Sequence, residues 1–93
     1  MSDRLEADIS RGHRAANLLG DDLIKEAREH IEAELWRKFQ ELSPSETESL
    51  KFIKAMQYFH VKYFAFLQQA ITNGRMAQIN LEAKKSLRER MFG

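Results

Sequence analysis

The chain contains no cysteine, one proline and four glycines among its 93 residues. Without cysteine it can form no disulfide and no thiolate nucleophile, and nothing indicates an oxidising compartment. Because proline and glycine are the strongest helix breakers, their scarcity favours long helices. The first ten residues include acidic side chains where a secretory signal needs an apolar run, so we do not expect export by that route.

Long uncharged hydrophobic stretches are also absent. The most apolar stretch, residues 50–71, contains Lys51, Lys54 and Lys62, and a lysine at the centre of a bilayer costs at least about 2.5 kcal/mol. We therefore expect no membrane span. Hydrophobic residues make up 43% of the chain, which is enough for a folded core. A chain of this length closes one core, so we predict a single helical domain over 1–93, with 1–19 as a candidate mobile arm.

Apolar residues recur every three or four positions in four segments, which predicts an all-α fold. The first segment, about 3–18, has a weak apolar face because Gly12 falls within it. Gly20 is expected to end that helix. Asp21 or Asp22 can cap the second helix, which runs to about residue 42.

The third helix is predicted from the turn Ser43-Pro44-Ser45-Glu46. Ser43 can cap a helix, Pro44 suits its first position, and Glu46 can bond back to the cap residue. The short turn predicts an antiparallel hairpin of helices at about 21–42 and 44–73. Asn73-Gly74 is a favourable helix stop, so a separate last helix over 76–91 is expected, and the four helices form a small bundle.

The third helix has an apolar arc too broad for one partner helix to cover. The first and last helices can cover the remainder in a bundle, or copies of the chain can associate through it, and both can be true. Trp36 projects away from the apolar stripe of the second helix and needs a second neighbour or stays partly exposed. The residues predicted for self-association or partner binding are Trp36, Phe52, Phe59, Tyr63 and Phe66.

No catalytic constellation is recognisable, so we predict no enzyme, no cofactor and no small-molecule substrate. His60 falls in the apolar arc, where an imidazole needs a hydrogen-bond partner. Glu26, His30 and Glu34 share one helix face at fourfold spacing, but such residues are common on solvated helices, and no metal site is predicted.

Charge is distributed unevenly along the chain. Residues 21–48 hold nine acids and four bases, whereas residues 49–93 hold two acids and eight bases. This asymmetry helps the two helices of the hairpin to pair and favours ordered contact between copies. A basic flank on the last helix is most simply a solvated face, with contact to nucleic acid or to an acidic protein surface as the alternatives. Its residues are Arg75, Lys84, Lys85 and Arg88.

Between residues 14 and 84 the order of features resembles small all-helical proteins of tailed bacteriophages and prophages, encoded near virion-assembly genes. The resemblance covers about three quarters of the chain, and the unusually aromatic third helix departs from it. That family has no assigned activity, so the resemblance implies a setting in the host bacterial cytoplasm or the virion. The segments that carry it are Arg14-Ala15-Ala16-Asn17-Leu18-Leu19, Leu35-Trp36-Arg37, the polar turn before Glu48, and Ile71-Thr72-Asn73-Gly74-Arg75-Met76-Ala77.

These observations favour a non-catalytic phage accessory protein of virion assembly or genome packaging. It would act as a helical homo-oligomer or protein-binding module, with phage structural or packaging proteins as partners. One alternative is a DNA-binding packaging factor that resembles a small terminase subunit. Another is a small inhibitor of a host defence system, in which the acidic second helix imitates nucleic acid.

Overall fold

The computed structural model describes residues 2–92, which form three α-helices and no strand. They are α1 (Ser2–Gly20), α2 (Asp22–Glu41) and α3 (Thr47–Phe92). The predicted all-α class is confirmed. Met1 and Gly93, the ends of the predicted domain, lie outside the described residues. No helix within 2–92 combines the length and the apolarity that crossing a membrane requires.

Asp21 is the residue that caps α2. It has extended backbone angles, and its carboxylate accepts hydrogen bonds from the backbone N–H groups of Leu23, at 2.9 Å, and Ile24, at 3.2 Å. Two N–H groups that lack a partner within the helix are thereby satisfied. Asp22 is the first residue of the helix, where its negative charge faces the positive end of the dipole.

The connection between α2 and α3 is longer than predicted, since it spans residues 42–46. The backbone N–H of Glu46 donates to the carbonyl of Ser43 at 3.0 Å, which closes a four-residue turn with Pro44 at its second position. The carboxylate of Glu46 accepts from the N–H of Ser43 at 2.7 Å, as predicted. The hydroxyl of Ser43, however, pairs with that of Ser45, so Pro44 does not start the helix and α3 begins at Thr47.

The predicted helix end at Asn73-Gly74 is wrong. α3 continues through these residues to Phe92, so the separate helix at 76–91 is the second half of one 46-residue helix. Gly74 has a negative φ, as do all glycines within 2–92. A glycine inside a helix costs about 1 kcal/mol relative to alanine, and the packing of Gly74 against α1 offsets that cost.

The chain forms two compact units. The first, here called the α1 unit, combines α1 through Leu18 with α3 from Phe66 onward. Its two helices meet at glycine: a Cβ atom on Gly12 would lie 3.0 Å from both the Cα of Gly74 and the carbonyl oxygen of Ala70. Ala70 is buried beside this contact, as are Ala15 and Ala77. Small side chains therefore let the two backbones touch.

The second, here called the hairpin unit, comprises Leu19–Ala65. Arg28 of α2 lies over the ring of Phe64 at 4.4 Å, and Glu32 lies 3.3 Å from His60. Because residue numbers rise along α2 while they fall along α3, the two helices are antiparallel, as predicted. The apolar core of this unit consists of Leu35, Ile53 and Phe64.

Candidate protein-binding surface

Four large apolar side chains of α3 in the hairpin unit form an exposed row, here called the aromatic stripe. They are Phe52, Met56, Phe59 and Tyr63, with exposed fractions of 64%, 45%, 69% and 62%. Their spacing of four, three and four residues keeps them on one side of a helix. No charged residue interrupts the stripe. A continuous apolar row of this kind is typical of a surface that contacts another macromolecule.

The stripe adjoins an open groove of about 840 Å³ between α2 and the start of α3. Its floor is apolar, and charged or titratable side chains stand at its rim. The apolar lining residues are Ile31, Leu35, Leu42, Phe52, Ile53 and Met56. The rim residues are His30, Glu34, Lys38, Glu41 and Glu48. The hairpin unit thus presents one apolar surface that includes both the groove and the stripe.

Arg37 fixes the carboxylates on the α2 side of the rim. Its guanidinium contacts Glu34 at 2.8 Å and Glu41 at 3.0 Å. The hydrogen bond from Arg37, together with its positive charge, holds the pKa of Glu34 below its usual range. The same hydrogen bond raises the pKa of Arg37. Both side chains therefore stay charged at neutral pH, although such exposed pairs add little stability.

No Arg or Lys ion pair within residues 2–92 joins α2 to α3. Every Arg or Lys ion pair within residues 2–92 lies inside a single helix, three or four residues apart. The polar link between the two helices is the contact of His60 with Glu32. The ring nitrogen Nε2 of His60 lies 3.3 Å from Oε1 of Glu32, and the ring packs edge-on against Phe64 at 5.0 Å. The predicted hydrogen-bond partner of this nearly buried imidazole is therefore Glu32.

Two predicted contact residues lie apart from the stripe. Trp36 is exposed on α2, where it stacks on Phe39 at 5.8 Å, and it does not line the groove. Phe66 is the next residue in the spacing of the stripe but belongs to the α1 unit. There the guanidinium of Arg11 lies over its ring at 6.0 Å. The structure therefore brings together Phe52, Phe59 and Tyr63, and not all five predicted residues.

Met56 was missed by sequence reasoning as a contact residue. It completes the stripe between Phe52 and Phe59, and the signal that could have found it is the four-three-four spacing. Phe64 shares the predicted apolar arc with Tyr63, yet it is buried against α2.

The predicted basic flank lies on the second half of α3. Its cations are exposed, and within 2–92 none of them forms an ion pair with a carboxylate. Its members are Arg75, Lys84, Lys85 and Arg88.

Across the described residues, no three His, Asp or Glu side chains converge on a point where they could hold a metal ion. Glu26, His30 and Glu34 therefore form no such group. Comparison with protein-family models, with curated proteins and with solved structures finds no match to this chain.

Proposed function

We propose that this protein is a non-catalytic helical protein that works by association through the aromatic stripe. The observation that carries the proposal is the continuous exposure of Phe52, Met56, Phe59 and Tyr63. Each large apolar side chain left in water forgoes about 1.5–3 kcal/mol of burial free energy. Single exposed residues are ordinary, whereas four in register supply the apolar centre that a specific protein contact needs.

A Phe59→Glu variant is expected to lose this association. A carboxylate buried in an apolar contact without a partner is strongly unfavourable, so the dissociation constant should rise by roughly 100-fold or more. Size-exclusion chromatography with light scattering, at tens of micromolar protein, measures the effect as a fall in mass toward the 10.9 kDa of one chain. The wild-type protein should have a higher mass under the same conditions.

Val61→Glu is the matched control. Val61 is also exposed on α3 but lies about 160° around the helix from Phe59. The Val61→Glu variant should therefore have the same mass in solution as the wild-type protein. Circular dichroism should show equal helicity in all three proteins. A wild-type protein that is strictly monomeric at these concentrations would contradict the proposal.

The setting we propose is phage virion assembly or genome packaging, within the host bacterial cytoplasm or the virion. Its support is the ordered set of segments that resembles small helical phage proteins. In that setting, phage structural or packaging proteins are the partners that the surface would contact after or during self-association.

DNA binding is a second candidate function, favoured by the unpaired cations at the end of α3. A variant with Lys84, Lys85 and Arg88 changed to glutamine should bind duplex DNA more weakly. Its plot of log binding constant against log salt concentration should be shallower, with the magnitude of the negative slope reduced by about 3. Fluorescence anisotropy between about 50 and 200 mM salt measures both quantities.

A control variant with Lys25, Lys51 and Lys54 changed to glutamine removes the same charge from other exposed positions. Its salt slope should stay close to that of the wild-type protein. An equal loss in both variants would mean that net charge, and not the end of α3, determines binding. Absence of any anisotropy change at low salt would remove this candidate.

A further inference from the structure

We propose that the aromatic stripe packs against the same stripe of a second copy, with the two α3 helices antiparallel. This inference rests on the proposed function and specifies its partner, orientation and register. Two hairpin units would then form a four-helix arrangement, in which each α2 flanks the contact beside its own α3.

A two-fold axis near residues 57–58 pairs the stripe with itself. Phe52 then lies opposite Tyr63 of the second copy, and Met56 opposite Phe59, which gives four apolar layers. When antiparallel helices with this spacing pack together, each layer contains two different residues of the stripe, one from each copy. The flexible thioether of Met56 meets a ring in each central layer, so large and adaptable side chains interdigitate. The contact is self-complementary, as a two-fold interface requires.

Charge at the edge of the stripe is compatible with this register. Lys62 lies at the edge of the stripe that is remote from α2, and Ala55 occupies the same edge one heptad earlier. The antiparallel register sets Lys62 beside Ala55 of the second copy. Two lysines are thereby kept from direct opposition, and the lysine stem can cover apolar surface while its ammonium stays in water.

The available area matches a small specific dimer. Side chains of this size carry roughly 200 Å² each. With exposed fractions of 45–69%, the four residues leave about 500 Å² of accessible surface per copy. Two copies would bury about 1,000 Å², which is near the lower limit for a specific interface. The apolar groove beside Phe52 and Met56 adds surface at each end of the contact.

Disulfide trapping tests orientation and register. Because the chain lacks cysteine, Ala55→Cys and Lys62→Cys each introduce a single thiol and leave the stripe intact. A mixture of the two variants, oxidised at tens of micromolar, should give a linked dimer of twice 10.9 kDa on a non-reducing gel. Each variant alone should give little, because identical positions are separated along the axis by about 7 Å at residue 55 and about 13 Å at residue 62, beyond the reach of a disulfide.

Lys54→Cys is the control, since its thiol faces away from the stripe, and its mixture with Lys62→Cys should give only background linkage. Efficient linkage of Ala55→Cys or Lys62→Cys with itself would overturn the antiparallel register. A mixture that stays unlinked while light scattering finds a dimer would also overturn it, and would leave the proposed association in place. A monomeric wild-type protein would remove both proposals.

Discussion

A Gly12→Leu variant is expected to unfold about 10 °C below the wild-type protein. A Cβ atom at this position would lie 3.0 Å from two backbone atoms of α3, and backbone cannot move aside as a flexible side chain can. We expect a net loss of about 2 kcal/mol, because separation of the helices outweighs the gain of about 1 kcal/mol in helix propensity. For a domain of this size, that loss corresponds to the stated shift. Thermal unfolding followed by circular dichroism measures it.

Gly20→Leu is the control that separates the effect of helix packing from the effect of helix propensity. Gly20 is also a helical residue, but a Cβ atom there would meet nothing within 4 Å. Its melting temperature should be unchanged or slightly higher. Gly74→Leu should reproduce the loss seen at Gly12, since its Cβ would lie 3.0 Å from the Cα of Gly12 and the carbonyl oxygen of Asp8. Equal melting temperatures for the Gly12 and Gly20 variants would show that α1 does not depend on this close contact.

The same glycine pair explains what the sequence could not predict about the helices. The start of α2 was predictable because Asp21 caps it through groups two and three residues away. Where α3 continues through Gly74 it packs against Gly12, which is 62 positions earlier in the chain. Read alone, Asn73-Gly74 has the local chemistry of a helix end, and Gly12 weakens an apolar face. In the folded chain Gly12 and Gly74 contact each other, so two residues that disfavour helices locally form the site where α1 packs on α3.

The candidate surface was partly predictable for a similar reason. Periodicity identified the apolar arc of α3, because residue type and helical spacing define a face. It could not divide that arc between the part that α2 covers and the part that stays exposed. Tyr63 and Phe64 are adjacent and both aromatic, yet Phe64 is buried while Tyr63 is 62% exposed. The division follows from where α2 lies, and contacts such as Arg28 over Phe64 fix that position.

His60 shows how the two parts of the arc are kept distinct. Its imidazole is on the α2 side, where Glu32 provides a polar contact and Phe64 an edge-on ring. A buried imidazole needs a hydrogen-bond partner, which Glu32 supplies within the chain and which an apolar interface between copies would lack. The aromatic stripe is thereby left free of this polar group.

Phe64→Ala should be the most destabilising single substitution in the hairpin unit. Its ring is buried, contacts His60 and lies under the guanidinium of Arg28, and removal of a buried phenylalanine costs about 3–5 kcal/mol. Urea unfolding at low protein concentration should show this as a lower midpoint with an unchanged slope. The matched variant Phe66→Ala removes an exposed ring and should cost less than about 1 kcal/mol, the value of its contact with Arg11. Similar midpoints for the two variants would mean that α2 does not cover Phe64 in solution, and the exposed surface of α3 would then extend beyond the aromatic stripe.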